Sequence, residues 1–240
     1  CQELLKKMSK DTLTSHLLEL RTRLLRVVVL IGFAVLVGAP FASDLFNFFA
    51  SPLIASLPEN SSMIATQVTS PFMAPFKLLI FSAFLVSMPY FFYELWSFIA
   101  PGLFKNERLF IGPLMLSTVV LFSTGMAFAY FVVCPIIFKF FVGIAPGSVL
   151  IMTDISQYIG FVMKLVFAFG IAFEMPIATF LIVRSGVVKK STLAASRPYL
   201  ILLFFVIGML LTPPDIFSQL FLAIPMWILF EVGLLVSKEK

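Results

Sequence analysis

Glu174 is the only ionisable residue in the apolar run Leu165–Val183. At bilayer depth a charged side chain costs about 2.5–3.5 kcal/mol on insertion scales, so such a carboxyl turns towards protein or water and needs a partner. The nearest base on the same stretch, Lys164, lies ten residues earlier. That is about 15 Å along a helix and on a different side of it. The counterpart of Glu174 must come from another helix of this chain or from another polypeptide.

Three further groups of residues carry chemistry. HLLELR (His16–Arg21) sets Glu19 and Arg21 at the entrance of an apolar run. FIAPGLFKNER (Phe98–Arg108) holds Lys105, Glu107 and Arg108 beside a turn at Pro101–Gly102. GMLLTPPDIFSQ (Gly208–Gln219) joins two apolar runs through Pro213, Pro214 and Asp215. Each has a plainer role as well. HLLELR would anchor an interface, Glu107 would complement a helix dipole, and Asp215 would cap a helix. For Glu174 the plain role is a hydrogen bond to a Ser, Thr or Gln of another span. Carboxylates are also what guanidinium forks bind bidentately, which a lysine ammonium cannot copy.

Enzymatic sets are missing. The sequence has no G-x-x-x-x-G-K-[ST], no H-E-x-x-H and no G-x-S-x-G, and so neither a phosphate cradle nor a hydrolytic motif. One histidine, His16, excludes most zinc and haem sites. Cys1 and Cys134 form no C-x-x-C, which argues against a disulfide framework or a thiolate metal site. No nucleophile–base pair supports an intramembrane enzyme.

The elements that position these residues follow from composition. Hydrophobic residues make up 60% of the 240, charged residues 12%, and Phe occurs thirty times; mean hydropathy is +1.07. A soluble domain carries about 25% charged residues. Long uncharged runs, without the alternation of a barrel, define an all-α integral membrane protein. Six spans are expected near 24–42, 76–99, 109–138, 157–183, 199–212 and 216–236, in one transmembrane domain over 12–240 after a polar segment 1–11. Met8 is a candidate natural start, leaving residues 1–7 upstream. Segment 43–71 reads as a folded extramembrane loop, Pro89 as a kink in span two, and span three as long enough to tilt. Spans five and six, with uncharged runs 199–212 and 216–230, look short for a full bilayer core and would form a hairpin.

Of the 17 Lys and Arg, 14 lie in the N-terminal segment, the 100–108 loop, the 184–197 loop and the tail. The positive-inside rule then puts both termini in the cytoplasm, and the net charge of +5 reads as topology, not nucleic-acid binding. Tyr93, Trp96 and Tyr199 fit an aromatic belt. Glu94 and Lys164, ionisable within or beside spans, read as snorkelling to the interface.

In this order, HLLELR, SPF, FIAPGLFKNER, GMAFAYF, AFGIAFEMP and GMLLTPPDIFSQ resemble the TatC family of the twin-arginine protein translocase. The resemblance covers roughly residues 12–236. It implies a receptor and scaffold in the cytoplasmic (inner) membrane that exports folded proteins using the proton motive force. Its partners would be twin-arginine signal peptides, single-span TatA- and TatB-like subunits, lipid, and further copies of the chain, with no cofactor and no metal. By the same resemblance Glu19 and Glu107 receive the arginine pair, with Arg21, Phe98, Lys105 and Arg108 as neighbours of that site. Glu174, Met209, Leu210, Thr212 and Gln219 match the surface for partner helices. Pro52, Met63, Pro89 and Asp215 match loops and bends. The chain departs from many members at Asn106, where they carry His, and at Leu109, where they carry a base. The alternative is a proton-coupled small-solute transporter with Glu174 and Lys164 as relay; the lack of an internal repeat weighs modestly against it.

Overall fold

The computed structural model describes residues 2–58, 61–103, 111–144, 152–211 and 216–237. Helix α1 (Gln2–Gly38) is 37 residues long, about 55 Å. It starts far ahead of the apolar run at 24–42, because helicity continues beyond the part that lipid selects. A 3₁₀ turn at Ala39–Phe41 leads into α2 (Ala42–Ile54), which contains Pro52. Pro52 has no N–H for the Phe48 carbonyl. That carbonyl accepts instead from the Tyr130 hydroxyl and from Ser51 Oγ at 2.8 Å. Tyr158 donates to the next carbonyl, Phe49, at 2.7 Å. The expected loop is therefore half helix, fastened by two tyrosines from other spans.

Strand β1 (Ser62–Ile64) pairs in parallel with β2 (Met152–Asp154), with Met63 opposite Thr153. Between them runs α3 (Ser70–Leu103). It passes through Pro89 and continues through Pro101 and Gly102, where the sequence suggested a turn; so near the helix end a proline removes only one late backbone bond. Span three comprises α4 (Ile111–Phe128), a π-helical turn at Ala129–Val133 and α5 (Cys134–Ile144). Pro135 cannot serve the Phe131 carbonyl, and the Cys134 amide reaches back to Ala129 O in the wider pattern.

Span four is not continuous. Helix α6 (Ile155–Ala172) stops, Phe173 and Glu174 turn, and α7 (Met175–Arg184) restarts with Pro176 in its first turn. Pro176 leaves the Ala172 carbonyl without a donor, which places the interruption at Glu174. Gly186, at φ 74°, ends α7 in the left-handed conformation that glycine adopts without a Cβ penalty. A short α8 (Lys190–Ala195) precedes α9 (Arg197–Leu211) and α10 (Ile216–Val236). The uncharged run of span six ends at Phe230, yet α10 continues for 21 residues in all. Glu231 can lie within it because Arg197 grips its carboxylate bidentately, at 2.6 and 2.9 Å.

By length and composition, Leu18–Ile54, Ser70–Phe98, Gly112–Ile144, Ile155–Arg184 and Gln219–Val236 can cross a membrane, and α9 is a shorter apolar helix. The main core surrounds Phe169, Val162, Leu165, Phe204 and Leu222. A second cluster joins Met88, Phe92 and Trp96 of α3 to Phe122 and Ile177. Helices α4 and α6 meet where glycine leaves room: a Cβ on Gly125 would stand 2.5 Å from the Phe169 carbonyl oxygen, and one on Gly170 would stand 2.7 Å from the Phe122 ring. Small residues that let backbones approach are the usual cement of membrane helices. Gly233 of α10 lies equally close to Pro176 of α7.

Candidate functional site

Glu19 on α1 and Glu94 on α3 share one guanidinium. Arg23, one turn after Glu19, directs Nε and Nη2 to Glu19 Oε1 at 3.1 and 2.7 Å. Its Nη1 points the other way, to Glu94 Oε2 at 2.7 Å. Glu94 Oε1 accepts from the Tyr90 hydroxyl at 2.7 Å and lies 3.4 Å from Arg26 Nη1. The Glu94 side chain is 5% exposed against 46% for Glu19. Glu94 therefore does not snorkel. An acid within a span must be paired, and three arginines at the entrance of span one were the available cations. That rule could have found the pair from sequence.

Phe98 lines a cavity of about 40 Å³ beside Arg23 and Glu94, with Leu20, Leu24 and Leu95. Arg21 is exposed on α1. Lys105, Glu107 and Arg108 lie outside the described residues, so their distance from Glu19 is not part of this geometry.

Glu174 occupies the break in span four. Its Oε1 is buried and, among the described residues, has no hydrogen-bond partner. Thr118 and the Phe122 backbone, both on α4, face the carboxyl. The Thr118 hydroxyl itself accepts from Trp96 Nε1 at 3.1 Å. Trp96 is thus a buried hydrogen-bonding residue at 6% exposure, not a member of an aromatic belt; Tyr93 and Tyr199 are exposed as a belt requires. Lys164 is exposed on α6 while Glu174 turns into the bundle, so the two form no relay. Next to Phe122 a cavity of about 200 Å³ opens at Pro89, lined also by Leu85, Val119 and Met126.

At the end of α9, Met209 and Leu210 are exposed. Gln219 of α10 packs against Gly208, where an added Cβ would lie 3.6 Å from Gln219 Cα. Thr212 and Asp215 fall outside the described residues. At the end of the bundle away from Arg23 and Glu94, Asp154 caps α6 by accepting from the Gln157 amide at 3.0 Å. It also accepts from the Thr66 hydroxyl at 2.6 Å and the Thr66 amide at 3.0 Å. The Thr66 hydroxyl, followed by the Gln157 and Thr66 amides, holds the Asp154 carboxyl at about 2, below its usual 3.8. Ser156 ties to Ser70 at 2.9 Å. Met63, on β1, packs against the core from this clamp.

These helices define a polytopic α-helical membrane protein with ionisable groups held inside its bundle. The profile of the family described as Sec-independent protein translocase protein (TatC) matches residues 15–225. A Sec-independent protein translocase protein TatC from Azotobacter chroococcum is 54% identical over 223 residues, covering 92% of this chain and 87% of the relative. The TatC of Escherichia coli K12 is 47% identical over 226 residues, covering 94% and 88%. A crystal structure of a twin-arginine translocase receptor TatC superposes with a TM-score of 0.81 at 36% identity, over 92% of this chain and 96% of that one. The chain belongs to the TatC family of Sec-independent protein translocase proteins. It is a translocase component, and the small-solute transporter alternative is set aside.

Proposed function

We propose that this chain is the twin-arginine signal-peptide receptor and assembly scaffold of a translocase that moves folded proteins across the cytoplasmic membrane, driven by the proton motive force. Both termini face the cytoplasm, and residues 12–240 act as one transmembrane domain. Glu19 and Glu107 receive the arginine pair, with Arg21, Phe98, Lys105 and Arg108 around them. Single-span TatA- and TatB-like subunits dock along Glu174, Met209, Leu210, Thr212 and Gln219. Pro52, Met63, Pro89 and Asp215 shape the loops and bends between these surfaces.

The observation that carries the receptor reading is that Glu19 already accepts a guanidinium, from two donors of Arg23 at 2.7 and 3.1 Å. The acceptor chemistry a peptide arginine needs is therefore present at an exposed carboxylate. The scaffold reading is supported by the orphaned Oε1 of Glu174, since a buried acceptor left unpaired costs about 1–3 kcal/mol that a donor from another helix would recover. The test is photo-cross-linking of an Arg-Arg signal peptide to the full chain in membranes. Glu19→Gln and Glu107→Ala each lose the adduct while the protein still inserts, and a Lys-Lys peptide gives none. An undiminished adduct in both variants refutes the site.

A further inference from the structure

We propose that Glu94 is a positioning residue for the signal-peptide site: it holds Arg23, the internal competitor for Glu19, so that an incoming guanidinium can take Glu19 without leaving Arg23 unpaired. The inference rests on the receptor reading of Glu19 given above.

The geometry separates the two roles. Arg23 uses one side of its fork for Glu19, at 2.7 and 3.1 Å, and the other side for Glu94, at 2.7 Å to Oε2 and 3.5 Å to the backbone carbonyl. Exposure rises along the chain of contacts, from 5% at Glu94 through 20% at Arg23 to 46% at Glu19. A ligand therefore meets Glu19 first, and Glu94 stays covered. Tyr90 and Arg26 also hold Glu94, so its carboxylate is held from several sides, whereas Glu19 is the exposed partner.

Glu19 can exchange Arg23 for a peptide arginine at small net cost only if Arg23 keeps an acid. A part-buried guanidinium stripped of every carboxylate is strongly unfavourable, and Glu94 prevents that. The cavity of about 40 Å³ beside Arg23 and Glu94 is large enough to hold water beside the pair. Arg23 Nη1 already stands 2.7 Å from Glu94 Oε2, so the guanidinium keeps an acid when Glu19 turns to the ligand. With both acids in place the four side chains Glu19, Arg23, Glu94 and Arg26 balance in charge. One additional cation, the ligand, then lands where the acid is most exposed.

The test uses the full chain in lipid nanodiscs, titrated with a fluorescent Arg-Arg signal peptide and with its Lys-Lys counterpart. Glu94→Gln throws Arg23 onto Glu19 alone and weakens the Arg-Arg peptide about tenfold. Arg23→Gln removes the competitor and tightens it severalfold, while Glu94 keeps Tyr90 and Arg26. The double variant E94Q/R23Q returns to wild-type affinity or better, a rescue that a merely structural Glu94 would not give. Unchanged affinity in E94Q, weaker binding in R23Q, or a double variant as weak as E94Q each overturns the proposal. If E94Q does not accumulate as folded protein, R23Q alone decides. Glu19→Gln separates the two levels: unchanged binding there refutes the receptor reading and this inference together. Lost binding there, with E94Q still at wild-type affinity, refutes the role of Glu94 alone.

Discussion

Replacing Gly125 by alanine tests whether the contact of α4 with α6 is as close as the backbone indicates. The new Cβ would stand 2.5 Å from the Phe169 carbonyl oxygen, and 2.8 and 2.9 Å from Cγ and Cβ of Phe173. An unstrained C···O contact is about 3.3–3.6 Å, so the helices must part by roughly 1 Å. The obstacle is backbone, which cannot rotate away as a side chain can. Overpacking of this kind costs about 1–3 kcal/mol, and the upper end applies here. Better helix propensity of alanine returns about 1 kcal/mol, leaving a loss of about 2 kcal/mol. For a chain of this size that corresponds to a fall in Tm of roughly 4–8 °C. Thermal unfolding in detergent, followed by tryptophan fluorescence, measures it. Gly160→Ala, in the same α6 but with nothing within 4 Å of the added Cβ, is the control and keeps or raises Tm. A G125A protein that melts at or above wild type, or a G160A protein that falls as far, refutes the reasoning.

The Asp154 clamp gives a pH dependence. Its carboxyl titrates at about 2 in the folded chain against 3.8 ordinarily, so between those values the unfolded chain binds more protons. The clamp's contribution is complete above pH 4 and disappears as pH falls towards 2; the Tm advantage of wild type over Asp154→Asn shrinks across that window, and a constant difference would contradict it. Glu174→Gln keeps the shape and removes the titratable acid. The isolated chain melts no lower than wild type, because an acid with a buried orphan oxygen gives the bundle little, yet single-span partners are lost on co-purification. A variant that is less stable and retains its partners would assign Glu174 to the fold.

Composition made the helices legible, and depth made Glu174 legible, because any acid inside a long apolar run is conspicuous. Helix faces were not legible. In lipid both the inner and outer faces are apolar, so no polar stripe tells which side packs; Trp96 therefore looked interfacial and is buried against Thr118. The pairing of Ser62–Ile64 with Met152–Asp154 was hidden for a different reason, as three-residue strands are too short for alternation to show. Pro176 and Pro135 were visible, but whether a proline bends, widens or interrupts a helix depends on which neighbours take up the carbonyl it abandons. Glu94 was seen and misassigned because its cations lie on α1, about seventy positions earlier in the chain and beyond any reading by helical spacing.

The interruption at Phe173–Glu174 has a mechanical consequence. Helix α6 is keyed to α4 at Gly125 and Gly170, whereas α7 is keyed to α10 at Gly233. Span four is thus two levers on a single fulcrum, each bolted to a different leaf of the molecule. A partner helix seated at that fulcrum, as proposed above, would lean on both leaves at once, and whatever tilts one leaf against the other would be felt where it sat.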